Sequence, residues 1–358
     1  MSKIISIGTA VPAHCHQQMD ILNFMQQVYA VQESDRRKMR FLYQHSGIRQ
    51  RYSTIADYSK PVQEWRFYPQ SENLEPFPSL EQRMTVYARQ APALSVNAIR
   101  NCLQHGHDHK KITHLITVSC TGMSAPGLDL QVLELLDLQK NVARTSINFM
   151  GCYAAIHALK IADATCRADK NAQVLIVCTE LCTLHFQREA TLDNIASSLL
   201  FGDGSAAALI TADEHPAQGL YLDSFYSEII SKGKSDMAWE LSSTGFVMTL
   251  SSYIPELIEQ DFGGIVERAS AHAGGADVSH WCIHPGGKRI LESIHKCLNF
   301  TNGQLKASYD VLQDYGNLSS ATILFVLKKM MQQERSMPRL FGAAFGPGLT
   351  VETFSAHY

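Results

Sequence analysis

The chain has 358 residues, 45% of them hydrophobic and 18% charged, with a net charge of −3 and a pI near 6.6. It is long enough for two compact units and too ordinary in composition for a disordered or fibrous class. Its near-neutral charge gives nucleic acid or an anionic membrane no electrostatic hold, and its nine scattered cysteines argue against a disulfide framework and for the cytosol.

Met1 to Gly8 reads as a strand and not as a signal peptide, and no apolar run is long enough to span a bilayer. A helical stretch over about Met19–Tyr43 leads to Ser46-Gly47-Ile48-Arg49-Gln50-Arg51-Tyr52. There the two guanidinium groups could pair with phosphates or form a solvated basic edge. Residues 60–80, rich in Pro and aromatics, are irregular. Ser79 with Gln82 three residues on makes a capping box that starts a long helix to about Leu103. Cys102, His105, His107 and His109 follow in a polar loop, with no second ligand cluster to complete a metal site. Ile112–Cys120 is a buried-type strand ending in the loop Thr121–Gly127, where Pro126 stands in place of the Gly that a hydrolase nucleophile elbow needs.

Val142–Met150 is strand-like, and an Ala-rich helical run opens at Cys152. Cysteine at a helix N-terminus faces unpaired N–H groups and the positive end of the dipole, which stabilise a thiolate. Ala172–Cys178 continues the β/α rhythm and implies a mostly parallel, layered sheet. Gly202-Asp203-Gly204 forms a turn ahead of an apolar strand, without the spacing of a dinucleotide fingerprint. Polar residues over Thr211–Gly219 place the boundary between halves 1–214 and 215–358. In the second half, a strand over Val278–Ile283 ends at His284-Pro285-Gly286-Gly287. The loop Asp314–Ser320 opens onto a helix, and Phe345–Glu352 closes the chain with a rigid turn and a strand. Both halves run as strands and helices, which suggests structural duplication.

Cys152, His284 and Asn317 thus stand at strand ends or helix starts, where open α/β sheets gather ligands. Converging, His284 would hold Cys152 as a thiolate–imidazolium pair, and the Asn317 amide would bind a developing oxyanion or enolate. The same three residue types also fit a cysteine protease, in which Asn orients His. Spacing alone leaves the reaction open.

Gly151-Cys152, Leu200-Phe201-Gly202-Asp203-Gly204, Ile283-His284-Pro285-Gly286-Gly287, Tyr315-Gly316-Asn317-Leu318-Ser319-Ser320-Ala321 and Phe345–Glu352, in this order, resemble the type III polyketide synthases, the chalcone synthase-like family. The likeness spans nearly the whole chain. It implies an α/β, thiolase-like fold, layered αβαβα and built from two similar halves, in a cytoplasmic homodimer. Its substrates would be an acyl-CoA starter and malonyl-CoA, with no carrier protein, no metal and no further cofactor. Cys152 would be the acylated nucleophile, with His284 and Asn317 activating it and stabilising the enolate left when malonyl-CoA loses carbon dioxide. Phe201 resembles the family's gatekeeper, Arg49 and Arg51 fall near its basic CoA-phosphate residues, and Gly286 and Gly287 would lie along the CoA.

The chain departs from the plant members at several positions that the resemblance places in or near the pocket. Met248 stands at the second aromatic gate, and Ala125 where a Met reaches into the partner's cavity. Trp239 replaces a Gly, and Cys120, Cys182 and His185 replace threonines. These changes point away from a chalcone and toward pyrone, resorcinol, phloroglucinol or naphthalene-type products of bacterial members. Glu180 and Ser319, with Cys120, match positions that can organise a water for thioester cleavage. The rivals are a β-ketoacyl-carrier-protein synthase III, which condenses once, and a non-catalytic acyl-CoA-binding member of the superfamily.

Overall fold

Strands that are apolar on both sides need helices on both faces. The computed structural model describes residues 1–29, 32–71, 73–104, 106–275, 277–301, 303–334 and 336–358. The first half runs β1 (Ser2–Ala10), β2 (His14–Gln17), α1 (Gln18–Tyr29), α2 (Glu33–His45), β3 (Gln50–Ser53), α3 (Leu80–Leu103), β4 (His114–Ser119), α4 (Leu128–Leu135), β5 (Ala143–Asn148), α5 (Ala154–Ala168), β6 (Gln173–Leu181), α6 (Leu192–Leu200) and β7 (Asp203–Ala212). The second runs β8 (Leu220–Ile229), β9 (Met237–Ser242), β10 (Gly245–Leu250), α7 (Ile254–His272), β11 (His280–Ile283), α8 (Lys288–Cys297), α9 (Lys306–Tyr315), α10 (Thr322–Gln333), β12 (Leu340–Gly346) and β13 (Thr350–His357).

Nine strands form one sheet in the order β11-β12-β13-β8-β1-β7-β6-β4-β5. The series β8, β13, β12, β11 repeats β1, β7, β6, β4, and β5 is an extra edge strand of the first half. The halves join where β1 pairs with β8 through Ser2↔Leu222, Lys3↔Tyr221 and Ile4↔Leu220. The expectation of a mostly parallel sheet is corrected. β4 runs parallel to β5 and β6, and β11 to β12, while β1, β7, β8 and β13 pair antiparallel to their neighbours.

Three apolar cores give the layering. One lies under α1, α3 and α4 against the first-half strands. A central one holds α5 and α10 between the two strand sets. A third packs α7, α8 and α9 on the second half. This is the mixed α/β, thiolase-like arrangement of two similar halves, with α5 and α10 as the shared middle layer.

Locally, the Ser79 capping box forms as expected: Gln82 N–H donates to Ser79 Oγ at 3.3 Å and Ser79 N–H to Gln82 Oε1 at 2.8 Å. The single helical stretch expected over Met19–Tyr43 is instead two helices, α1 and α2. The irregular 60–80 region is held by the Asp57 carboxylate, which accepts from the backbone N–H groups of Arg66, Phe67 and Tyr68. In the histidine-rich loop Cys102 is buried inside α3 and His109 faces Asp108. His105 lies outside the described residues, among which no group of His, Cys, Asp and Glu could hold a metal ion. Among them, too, no helix is long and apolar enough to cross a membrane.

Candidate active site

Three chain reversals at the ends of the central layer build the site. After β5 the backbone turns through Phe149 and Gly151, both with positive φ, into one 3-10 turn, Gly151–Tyr153, before α5. A Cβ on Gly151 would stand 2.2 Å from Pro347 Cδ, and its φ of +75° is unfavourable for other residues, so only glycine fits there. Gly316, also at positive φ, releases the chain toward Asn317 and α10. β11 ends at Ile283, and His284 follows, its N–H bonded to Ala343 O at 2.9 Å.

Cys152, His284 and Asn317 line one cavity. Its empty volume, with the solvent at its mouth included, is about 1210 Å3. The Cys152 thiol lies 3.8 Å from Ser319 Oγ and 3.9 Å from Asn317 Oδ1. Asn317 Oδ1 accepts from Ser319 N–H at 2.8 Å and Thr322 Oγ1 at 3.3 Å. These bonds fix the amide orientation, because only the oxygen can accept both. Both amide atoms stand near the thiol, Oδ1 at 3.9 Å and Nδ2 at 4.0 Å from Sγ, and Nδ2 has otherwise only a long 3.4 Å bond to Gly286 O. Both ring nitrogens of His284 are buried and have no hydrogen-bond partner.

Electrostatics in this cavity weigh against the expected thiolate–imidazolium pair at rest. Burial pushes the Cys152 thiol up to about 12, with Glu180 adding repulsion and Ser319 and Asn317 opposing it. Burial likewise pushes His284 down to about 3. Desolvation penalises the charged form of each group and outweighs the helix terminus. Burial thus favours the neutral form of each group.

The cavity wall carries most of the other residues singled out in the sequence. Phe201, Met248, Cys120, Cys182, His185, Trp239, Ser319, Arg51 and Gly286 all line it. Trp239 Nε1–H donates to Cys120 O at 2.7 Å, and Cys120 Sγ accepts from Gly151 N–H at 3.0 Å. His185 is saturated: Nδ1 accepts from Phe246 N–H at 3.0 Å, and Nε2 lies 2.7 Å from Thr121 O. Its ring stacks on Phe246 with centroids 4.2 Å apart and planes 6° from parallel. Sequence reasoning missed Phe246. The signal was there, since it lies two residues before Met248 on strand β10 and so points to the same side.

Three placements, those of Glu180, Arg51 and Gly287, correct expectations. Glu180 is fully buried behind the wall and does not line the pocket. Its carboxylate takes Cys120 N–H and Thr121 Oγ1 at 2.9 Å and Ser320 Oγ at 2.5 Å, because an unpaired buried carboxylate is too costly to keep. Its partner across the halves is Ser320, not Ser319, and burial lifts its pKa to about 7. Ala125, expected to face a partner's cavity, lies on the exposed loop before α4 and outside this chain's own cavity. Arg49 is exposed and paired with Asp314 at 2.8 Å. Arg51, in contrast, is 3% exposed, and two of its donors are spent on Gln18 and Phe201, which leaves no open basic surface for a phosphate. Gly287 packs against Leu200 and is not a cavity residue, because its own backbone is covered.

Two comparisons bear on this geometry. The N-terminal domain of the chalcone and stilbene synthases matches residues 1–214, and their C-terminal domain matches residues 222–357. Among solved structures, the C-terminal type III polyketide synthase domain of Steely1, a type I/III hybrid from Dictyostelium, superposes with a TM-score of 0.92 at 28% identity, over 99% of both chains. PKS-I of the brown alga Ectocarpus siliculosus superposes with a TM-score of 0.92 at 25% identity, over 99% of this chain and 98% of that one.

Proposed function

The chain belongs to the chalcone and stilbene synthase family and is a type III polyketide synthase, an acyltransferase; from that premise we propose that it builds a polyketide on Cys152 from acyl-CoA and malonyl-CoA. The observation that supports this most is the meeting in one cavity of the Cys152 sulfur, the Asn317 amide at 3.9–4.0 Å from it, and an unpartnered His284.

The reaction follows from those three groups. As a starter thioester enters, Cys152 Sγ attacks its carbonyl carbon and passes its proton to His284 Nε2. The tetrahedral oxyanion is held by donors at the site and collapses to the Cys152 thioester, while CoA leaves as its thiol with the proton from His284. Malonyl-CoA then loses its carboxylate as carbon dioxide, and the electron pair moves onto the thioester oxygen. Asn317 Nδ2–H and a ring N–H of His284 stabilise that enolate. A neutral donor suits the place, because a carboxylate there would repel the charge. The enolate carbon attacks the acyl group on Cys152 and expels the thiolate, which leaves a β-ketoacyl-CoA two carbons longer. Repetition and ring closure complete the product. The half-buried Phe201 serves as the gate to the chamber, and Trp239, Met248 and the His185–Phe246 stack shape its far wall.

The proposal includes a homodimer. Strand β5 is the outer strand of the sheet, and four of its first five residues, apart from Ile147, are exposed, so its free edge suits pairing with a second copy. The starter, the number of extensions and the pyrone, resorcinol, phloroglucinol or naphthalene outcome are to be read by incubating the protein with a ladder of acyl-CoAs and malonyl-CoA, without carrier protein. Products with two or more extensions, read by mass spectrometry, support the reading. A single extension, or a requirement for carrier-bound malonyl, would turn it into a synthase III-like condensation. Failure of acyl-CoA to label Cys152 would leave only acyl binding.

A further inference from the structure

We propose that Arg51 and Gln18 form a positioning pair that holds the Phe201 gate and, through it, the Asn317 amide; the inference rests on the condensation chemistry proposed above. Arg51 comes from β3 and Gln18 from the start of α1, and neither touches Cys152. Yet Arg51 Nε donates to Gln18 Oε1 at 2.9 Å and Arg51 Nη1 to Phe201 O at 2.5 Å. Gln18 Nε2 donates in turn to Leu199 O at 3.0 Å. The two side chains therefore hold two carbonyls at the C-terminal end of α6. There the helix dipole is negative, and a cation is favoured.

This end of α6 is bonded on its other side to the catalytic amide's own backbone. Asn317 N–H donates to Leu200 O at 2.9 Å, and Gly202 N–H donates to Asn317 O at 3.0 Å, so Phe201 and Asn317 form a parallel bridge. The Arg51 stem also lies under the residue before it, since a Cβ on Gly316 would come within 2.8 Å of Arg51 Cδ. Gate and enolate donor are thus one rigid unit, and Arg51 is its underside.

The cation is held at a cost, which argues for a purpose. Asp203, the acid that acts on it through space, has its oxygens taken by Thr54 and Thr183 and offers Arg51 no direct bond. Arg51 Nη2 is buried with no hydrogen bond of good geometry, the Tyr43 hydroxyl being its polar neighbour. A buried guanidinium without a carboxylate is poor value for stability alone. A fork that meets a side-chain amide and a main-chain carbonyl at fixed angles is what a lysine could not supply.

The test compares Arg51→Lys and Gln18→Leu with wild type in malonyl-CoA decarboxylation, and measures alkylation of Cys152 by iodoacetamide alongside. Small displacements of a reacting group cost up to about a hundredfold in rate. We expect kcat for decarboxylation to fall about ten- to a hundredfold, with KM for malonyl-CoA within about threefold of wild type and Cys152 alkylation no slower. Gln18→Glu, which keeps the acceptor for Arg51 and loses the donor to Leu199, falls between wild type and Gln18→Leu. Folded variants with wild-type kcat overturn the inference, and so does a parallel loss of decarboxylation and alkylation. Should Arg51→Lys fail to fold, Gln18→Leu alone carries the comparison. If wild type itself does not decarboxylate malonyl-CoA, the functional reading falls instead. A crystal structure of Gln18→Leu then decides the inference: a shifted Phe201–Asn317 bridge upholds it, and an unmoved one sinks it.

Discussion

Two histidines share the cavity, and they are opposites. His185, on the wall, has both ring nitrogens bonded and its face stacked on Phe246. His284, lining the same cavity as the thiol, is equally buried and has neither nitrogen bonded. Burial drives both down to about 3, so both are neutral imidazoles at working pH. What separates them is their partners. A saturated ring is scaffold, fixed in tautomer and orientation, while an unpartnered buried ring retains donor and acceptor capacity that only an incoming group can satisfy.

The largest effect that would test this contrast comes from replacing each ring. His284→Gln should lower condensation by about 100- to 10,000-fold, the usual worth of a positioned acid–base group, whereas His185→Gln should stay within about tenfold in rate and instead alter the product profile. Equal losses in the two variants, measured with one starter and malonyl-CoA, would erase the distinction. Next comes Asn317→Ala, which removes the enolate donor and should cost about 100- to 1000-fold in decarboxylation while Cys152 remains open to alkylation.

Smaller effects are expected in stability. Glu180→Leu leaves Cys120 N–H, Thr121 Oγ1 and Ser320 Oγ unpaired on the wall side, and should lower unfolding free energy by about 1–3 kcal/mol for each donor that water cannot reach, as read from denaturant midpoints. The smallest is a pH slope. A histidine whose folded pKa is depressed binds its proton more readily unfolded, so stability falls as pH drops from about 6.5 toward 3. Glu180, raised to about 7, and Asp203, raised to about 6, act in the opposite sense: each favours the folded state as pH falls from those values toward the ordinary carboxylate range. The four contributions partly offset one another in wild type. His284→Gln should therefore weaken the acid-side loss by up to about 1.4 kcal/mol per pH unit within its window, while His185→Gln combines the same change with lost hydrogen bonds.

Much of the site was legible because catalysis of this kind needs particular residue types at chain reversals. Gly151-Cys152, His284 before Pro285 and Asn317 after Gly316 all stand where a strand ends or a central helix begins, and the sequence marks such corners with glycine and proline. The Ser79 capping box was readable for the same reason, since its two bonds join residues three apart. Glu180 and Arg51 were misplaced because their partners are remote in sequence. Glu180 reaches Ser320 across 140 positions, and Arg51 reaches Phe201 across 150. Nothing in the neighbouring residues says that a charged side chain will be buried.

Local order along the chain therefore determined most of the strands, the helix starts and the candidate positions Cys152, His284 and Asn317 at chain reversals, since each depends on periodicity and backbone restriction over a few residues. Tertiary structure alone decided the charge states and the orientations. Whether Cys152 is a thiolate depends on how dry the chamber is, and which way the Asn317 amide faces depends on Ser319 and Thr322 folding back on its oxygen. Desolvation and hydrogen-bond saturation are sums over everything that surrounds a group in space, and no short stretch of chain contains those surroundings.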